Sequence, residues 1–219
     1  MKAKNLLFLD DDNKNWMNII ILFASLNFLF VAIIFIITGA IGGGIVSLVW
    51  WIITSLLFSF IRNKDTFQQK AKILYLINVC WLSLLEEGMI YAVGGGLQGK
   101  ATSLYDDYIH SIPIFMAIGI VLYFMILKYE LNSGETFITA FFIGYIVEGI
   151  FGGAGLLIGS AGAYFYGTMM TALIPENLKE EKRASIKSIL LIIIGTIFSF
   201  IAVLAGAIIA DNIYKAFPG

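Results

Sequence analysis

The sequence is poor in the residues on which disulfides, metal centres and charged surfaces depend. Its one cysteine, Cys80, excludes an internal disulfide, and its one histidine, His110, excludes a metal site built from several imidazoles. Charged residues make up only 13% of the chain, against roughly 25% in ordinary soluble domains. The formal net charge of −1 provides no basic surface for nucleic acid. Any chemistry must therefore use carboxylates, amides, hydroxyls and the backbone.

What the chain has in abundance is apolar sequence. Hydrophobic residues make up 59% of it, and the mean hydropathy is +0.90. Residues 15–61 contain no charge, and these 47 residues can hold two membrane spans of about 20 residues each. This apolar run is too long for a signal peptide and has no small-residue cleavage site, so we expect the first helix to remain as an anchor. The sequence predicts an all-α, polytopic protein embedded in the lipid bilayer of the cell membrane.

The charge-free runs divide the chain into about seven transmembrane helices in a single domain, residues 17–210. Residues 1–16 are predicted to form an N-terminal cytoplasmic segment, and residues 211–219 a short C-terminal tail. Pro113 is expected in the first turn of the fourth helix, where its missing N–H costs nothing. The predicted spans are about 17–38, 42–61, 73–93, 111–128, two between Glu135 and Glu176 that meet at 152–155, and 188–210.

Two clusters of basic residues predict the orientation. By the positive-inside rule both clusters are cytoplasmic, which requires an even number of spans between them; the four helices from the third to the sixth satisfy this. The N-terminus is then cytoplasmic and the C-terminus outside. The first cluster is Arg62, Lys64, Lys70 and Lys72, and the second is Lys179, Lys182, Arg183 and Lys187.

Two adjacent carboxylates, Glu86 and Glu87, interrupt the third apolar run. Only 13 residues separate Lys72 from Glu86, about 20 Å of helix, which is too short to cross a hydrocarbon core of about 30 Å. The helix must therefore continue past the pair. Glu148 lies 13 residues beyond Glu135 in the fifth helix, so we expect it at nearly the same depth and all three carboxylates in one layer toward the outer face. A glutamate at that depth should face the bundle interior or a wet cavity.

Helical spacing suggests which side chains accompany these glutamates. Cys80, Ser83, Glu87 and Tyr91 are spaced three or four residues apart and form one polar stripe on the third helix. Glu86 points about 100° away from that stripe. We therefore expect Glu87 to face Glu148, with Glu86 in a secondary position. The predicted residues for ion, proton or substrate binding are Glu87, Glu148, Glu86, Tyr91 and Ser83.

A ladder of small residues marks the sixth helix as a packing surface. Small residues four apart let two membrane helices approach closely, and Gly144 and Gly152 flank Glu148 on the fifth helix at the same spacing. We expect these two faces to pack together. The ladder consists of Gly155, Gly159, Ala163, Gly167 and Thr171.

Similar segments end three of the predicted helices. EEGMIYAVGGG and VEGIFGGAG both place a glutamate before a glycine, and TGAIGGG ends the first helix with Thr38 in the corresponding place. This weak similarity suggests that three two-helix hairpins descend from one repeat.

The connection before the fourth helix carries three further polar side chains. We expect Asp106, Asp107 and His110 to cap an outer vestibule above the glutamates, unless they are simply solvated in an exposed loop. Carboxylates and an imidazole around one cavity can bind a divalent cation or relay protons. No cofactor motif is present, and a bound cation is the one group that these residues would suit.

Three functions remain open at the level of sequence. The first is a small transporter or channel for a cation, or for a small solute coupled to protons or cations. The second is a membrane-embedded hydrolase in which Glu86, Glu87 and His110 act on water. The glutamate pair resembles the start of the EExxxR motif of CAAX-type membrane proteases, although Tyr91 stands at the arginine position. The third is a non-catalytic scaffold or subunit of a membrane complex, and a homo-oligomer is compatible with all three.

Overall fold

The computed structural model describes most of the chain, apart from the extreme N-terminus and several connections. Side chains at 60–62, 65–73 and 155–157 are outside this description. The side chains of both predicted basic clusters are outside it as well, except that of Lys187. The described residues are 7, 9, 14–62, 65–94, 103–151, 155–172 and 185–217.

Seven α-helices, the fifth of which continues as a π-helix, make up almost all of the described backbone. The described ranges contain no β-strand, so the predicted all-helical fold class is confirmed there. We number the helices in chain order. They are α1 Asn15–Ile37, α2 Ile41–Arg62, α3 Asp65–Ala92, α4 Leu104–Tyr129, α5 Ser133–Gly144 with its π-helical continuation Tyr145–Phe151, α6 Gly155–Thr171 and α7 Ser185–Ala216.

Five of these helices are long and apolar enough to cross a membrane. Large apolar side chains on their outer faces, such as Phe23, Phe124 and Ile208, are more than half exposed. A soluble protein rarely exposes large contiguous apolar patches, whereas a bilayer accepts them. The five segments are α1, Ile41–Ser59 within α2, α4, α5 together with its π-helical continuation, and α7.

The helices form a bundle in which α6 is central. It contacts α1, α2, α3 and α5, while α4 packs chiefly against α7 and α3. Buried contacts join α6 to its neighbours: the Trp50 Nε1–H donates a hydrogen bond to Thr168 Oγ1 at 2.9 Å, and the rings of Phe28 and Tyr164 stack with their centroids 4.4 Å apart. Consecutive helices α1 and α2, α3 and α4, and α5 and α6 are neighbours, while their descent from one repeat stays a prediction.

The start of α4 differs from the prediction. The helix begins at Leu104 rather than near Ser111, so Pro113 lies inside the helix and not in its first turn. The Ser103 hydroxyl caps α4 by accepting a hydrogen bond from the Asp106 backbone N–H at 3.1 Å. Acidic residues in a first turn also interact favourably with the helix dipole. The predicted start of this helix, which was placed after the charged residues, was wrong because Asp106 and Asp107 belong to its first turn.

Two other helices are longer than the apolar runs suggested. Helix α3 begins at Asp65, well before residue 73, and α7 continues to Ala216, so part of the predicted tail is helical. A salt bridge of 2.5 Å between Lys215 and Asp211, one turn apart, accompanies this extension. Helix α3 ends at a turn in which Gly94 adopts a φ of 80°, a conformation that glycine adopts without strain.

Helices α5 and α6 approach each other closely along the small-residue ladder. A Cβ placed on Gly159 would overlap the Gly149 Cα, and one placed on Gly144 would lie 2.9 Å from the Ala163 Cα. A Cβ on Gly167 would lie 3.0 Å from the Phe137 ring. Gly155 begins α6, but its surroundings lie outside the described residues. The small residues thus fix how near the π-helical segment lies to α6.

Candidate functional site

A cavity of about 420 Å³ lies inside the bundle, toward the end at which α3, α5 and α7 finish and α4 and α6 begin. Glu86 is six residues before the end of α3, about 9 Å along the helix axis. We call this space the acidic cavity. Its lining residues are Glu86, Glu87, Ile90, His110, Ser111, Ile114, Phe115, Val147, Glu148, Gly162, Phe165, Tyr166, Ala207 and Ala210.

Helix α3 contributes two glutamates that are almost fully buried. Glu86 is 4% exposed and Glu87 is 7% exposed, and both line the acidic cavity. Glu86 Oε2 is inaccessible to solvent and has no hydrogen-bond partner among the described residues. A buried polar atom without a partner carries a desolvation penalty of about 1–3 kcal/mol, more for a charged group. Glu86 therefore keeps an acceptor without a partner in the described chain, and its carboxyl group would have to turn for a ligand in the cavity to reach this oxygen.

The placement of Glu86 differs from the expectation that it would point away from the other glutamates. Neighbouring helical residues are about 100° apart, yet Glu86 and Glu87 both reach the cavity. The reason lies in the packing, because α3 contacts both α4 and α6, and both of these helices line the cavity with it. The cavity extends around this part of α3, so two adjacent positions face it.

The third glutamate, Glu148, projects from the π-helical segment Tyr145–Phe151. Its Oε1 accepts a hydrogen bond of 3.1 Å from the Tyr166 hydroxyl on α6. A Cβ on Gly162 would lie 3.1 Å from the Glu148 Cγ, so the absence of a side chain there makes room for the glutamate. Single π-helical turns inside α-helices occur frequently at functional sites.

Helix α4 supplies the imidazole and the hydroxyl of the acidic cavity. The His110 Nδ1 lies 2.8 Å from the Asp106 carbonyl oxygen and 3.3 Å from Asp106 Oδ1. The Ser111 hydroxyl and the Asp107 carboxyl both interact with the Glu87 side chain. The helix cap at Ser103 fixes the register of this first turn and thereby directs His110 and Ser111 toward the cavity.

The structure separates the predicted residues into two groups. Glu86, Glu87, Glu148 and His110 line one cavity. Asp106 and Asp107 do not line it; they are buried in the first turn of α4 and contact His110 and Glu87 respectively. Asp106 and Asp107 therefore contact side chains that line the cavity, and they do not form an exposed vestibule.

Two members of the predicted polar stripe on α3 also lie elsewhere. The Ser83 hydroxyl is fully buried, donates to the Val79 carbonyl at 2.7 Å and lies 3.3 Å from the Met169 sulfur on α6. Tyr91 is half-buried and is not among the residues that line the cavity. Helical spacing placed these residues on one face, but only part of that face borders the cavity.

The sequence patterns did not predict that aromatic side chains line the acidic cavity. Phe115, Phe165 and Tyr166 line it, and the Phe115 and Tyr166 rings lie 4.9 Å apart between centroids. A signal for Tyr166 was present, because Gly162 and Tyr166 are four residues apart in a row beside the small-residue ladder. No comparable pattern marked Phe115, which is one of many apolar residues in the fourth apolar run.

The acidic cavity has the composition of a ligand site. Three carboxyl groups, one imidazole, a serine hydroxyl and a tyrosine hydroxyl share it with apolar side chains, and neither lysine nor arginine occurs among its described lining residues. Small-molecule sites are typically apolar cavities of about 300–1,000 Å³ with a few converging polar groups. Within the described part of the chain, no three or more His, Cys, Asp or Glu side chains are grouped so that they could hold a metal ion.

Five helices contribute to the acidic cavity, and their polar groups come from four of them: α3, α4, the π-helical segment and α6. This arrangement can accept hydrogen bonds, exchange protons and attract positive charge. Function has to be inferred from these residues themselves, because no protein-family model, no curated protein and no solved structure matches the chain.

Proposed function

We propose that this protein is a small transporter or channel of the cell membrane for a cation, or for a small solute coupled to protons or cations. The observation that carries the proposal is that two buried glutamates, Glu86 and Glu87, meet Glu148 in one cavity, where Glu86 Oε2 has no hydrogen-bond partner among the described residues. The binding residues would be Glu87 and Glu148 together with Glu86.

The cost of these glutamates supports a functional role. A charged residue at the centre of a membrane helix costs roughly 2.5–3.5 kcal/mol on insertion scales, and such residues commonly mark ion or proton pathways. Glu86 and Glu87 are almost fully buried and line the acidic cavity together with Glu148, which is where the residues of an ion or proton pathway would lie. Protons and cations would compete for the same oxygens, which is the basis of coupled exchange.

We also propose that all seven helices cross the membrane, with the N-terminus in the cytoplasm. Helix α3 has 28 residues and α6 has 17, or about 42 and 26 Å, compared with a hydrocarbon core of about 30 Å. Helix α3 carries its glutamates into the interior, and α6 is surrounded by other helices. In this orientation the acidic cavity lies toward the outer side, as the positive-inside rule suggests.

Flux through the purified protein in liposomes tests the transport proposal. We expect a pH or cation gradient to drive flux, and Glu87→Gln or Glu148→Gln to reduce it at least tenfold. Glu135→Gln is a matched control, because Glu135 is a buried glutamate in the capping box at the opposite end of α5. Glutamine also serves in a capping box, so this variant should keep its flux. If Glu87→Gln and Glu148→Gln keep the same flux as Glu135→Gln and the unaltered protein, the proposal is refuted.

A second function, membrane-embedded hydrolysis, is favoured by the Asp106–His110 pair at the edge of the acidic cavity. An aspartate that contacts Nδ1 can orient the imidazole, and a glutamate can act as general base for one water within hydrogen-bond reach. The test incubates purified protein with a peptide library and detects cleavage by mass spectrometry. Cleavage that is lost in Glu86→Gln and His110→Ala would support hydrolysis, and no cleavage by the unaltered protein would contradict it.

A further inference from the structure

We propose that the acidic cavity binds a small organic ammonium ion that carries an apolar group, and not a bare inorganic cation. This proposal rests on the transport function proposed above and names its substrate class. The ammonium would lie among the glutamates, and the apolar group would lie against the aromatic side chains.

The size of the acidic cavity is the first argument. Its volume of about 420 Å³ is many times the roughly 30 Å³ that one water molecule occupies in the liquid. It falls instead within the range of about 300–1,000 Å³ found for sites that bind small organic molecules. A bare ion would leave most of this space to water beside Phe115, Phe165 and Ile114, which cannot hydrogen-bond it.

The aromatic side of the cavity is the second argument. A cation held over the face of a phenyl or phenol ring within about 6 Å is attracted by the ring, and sites for organic ammonium ions commonly use this contact. Phe115, Phe165 and Tyr166 offer three rings beside the carboxylates. The same rings can pack against the apolar part of the ligand.

The hydrogen-bonding state of the glutamates is the third argument. Glu148 already accepts the Tyr166 hydroxyl, which orients its carboxyl group at the aromatic side of the cavity. Glu86 is more than nine-tenths buried and lines the cavity, and its Oε2 has no partner in the described chain. A turn of the carboxyl group about its Cγ–Cδ bond would present this oxygen to a ligand N–H. An ammonium group has several N–H donors, and no described lysine or arginine in the lining competes with it.

Isothermal titration calorimetry on the full chain in detergent can test this substrate class. The probe is benzylammonium, and the controls are benzyl alcohol, which has the same ring without the charge, and sodium and potassium chloride. We expect benzylammonium to bind and benzyl alcohol not to bind. Glu86→Gln and Phe165→Leu should each weaken the affinity at least tenfold, while Glu135→Gln should leave it unchanged.

The outcomes separate this proposal from the transport proposal. If benzylammonium does not bind but liposome flux of protons or inorganic cations still depends on Glu87 and Glu148, the substrate class is wrong and transport stands. If benzylammonium and benzyl alcohol bind equally, the site recognises only the ring and the proposal is also wrong. Specific binding without any flux supports the ligand class and refutes transport. Gel filtration and circular dichroism of each variant confirm that lost binding is not lost folding.

Discussion

The replacement of Gly159 by alanine tests the contact that positions Glu148. A Cβ on Gly159 would overlap the Gly149 Cα, and backbone atoms have no alternative rotamer by which to move away. The two segments must therefore separate, and overpacking of this kind costs about 1–3 kcal/mol. Because Glu148 precedes Gly149, the same displacement would move its carboxyl group relative to Gly162 and Tyr166. We expect Gly159→Ala to lower both stability and flux.

The matched control is Gly43→Ala in α2. A Cβ on Gly43 would lie 3.3 Å from a ring atom of Phe35, and a ring edge can shift by a few tenths of an ångström. Both variants replace a helical glycine with a better helix former, which is worth up to about 1 kcal/mol, so their difference reports mainly the steric cost. For a chain of this length 1 kcal/mol corresponds to about 2–4 °C in Tm, so Gly159→Ala should unfold roughly 2–12 °C below Gly43→Ala.

Tryptophan fluorescence during heating of the purified full chain in detergent measures this difference, and the liposome assay measures flux. If Gly159→Ala unfolds at the same temperature as Gly43→Ala and transports normally, the close approach of α6 to the π-helical segment does not hold Glu148 in place. If it is less stable but retains full flux, the contact matters for folding and not for the site.

Two further predictions concern the topology and the core. A C-terminal fusion should give active alkaline phosphatase and non-fluorescent green fluorescent protein, because the C-terminus is proposed to lie outside; the opposite pattern would reverse the orientation. Thr168→Val removes the acceptor of the buried Trp50 Nε1–H, and an unsatisfied buried donor costs about 1–3 kcal/mol. We expect a lower Tm than for Thr38→Val, where the hydroxyl is exposed and donates only within its own turn; equal values would mean that Trp50 finds another partner.

Apolar length and charge distribution were sufficient for the helical class and for most helix positions. Counting residues along helices predicted that Glu86, Glu87 and Glu148 lie in one layer, because the rise per residue is constant, and the structure brings all three to one cavity. The same reasoning was wrong about the start of α4 near Ser111, since a helix cap can include charged residues. It was also incomplete for α3, where the charged segment from Asp65 is helical as well.

The amino-acid sequence by itself determined that this is a helical protein with segments long and apolar enough to cross a membrane, and that glutamates interrupt two apolar runs, because both properties are local. Only the tertiary structure decided which side chains share a cavity. Ser83 and Tyr91 have suitable spacing but face other surroundings, whereas Phe115 and Tyr166 enter the cavity from helices distant in sequence. The physical reason is that a helix face is defined by periodicity, whereas a cavity is defined by where several helices fail to fill the space between them.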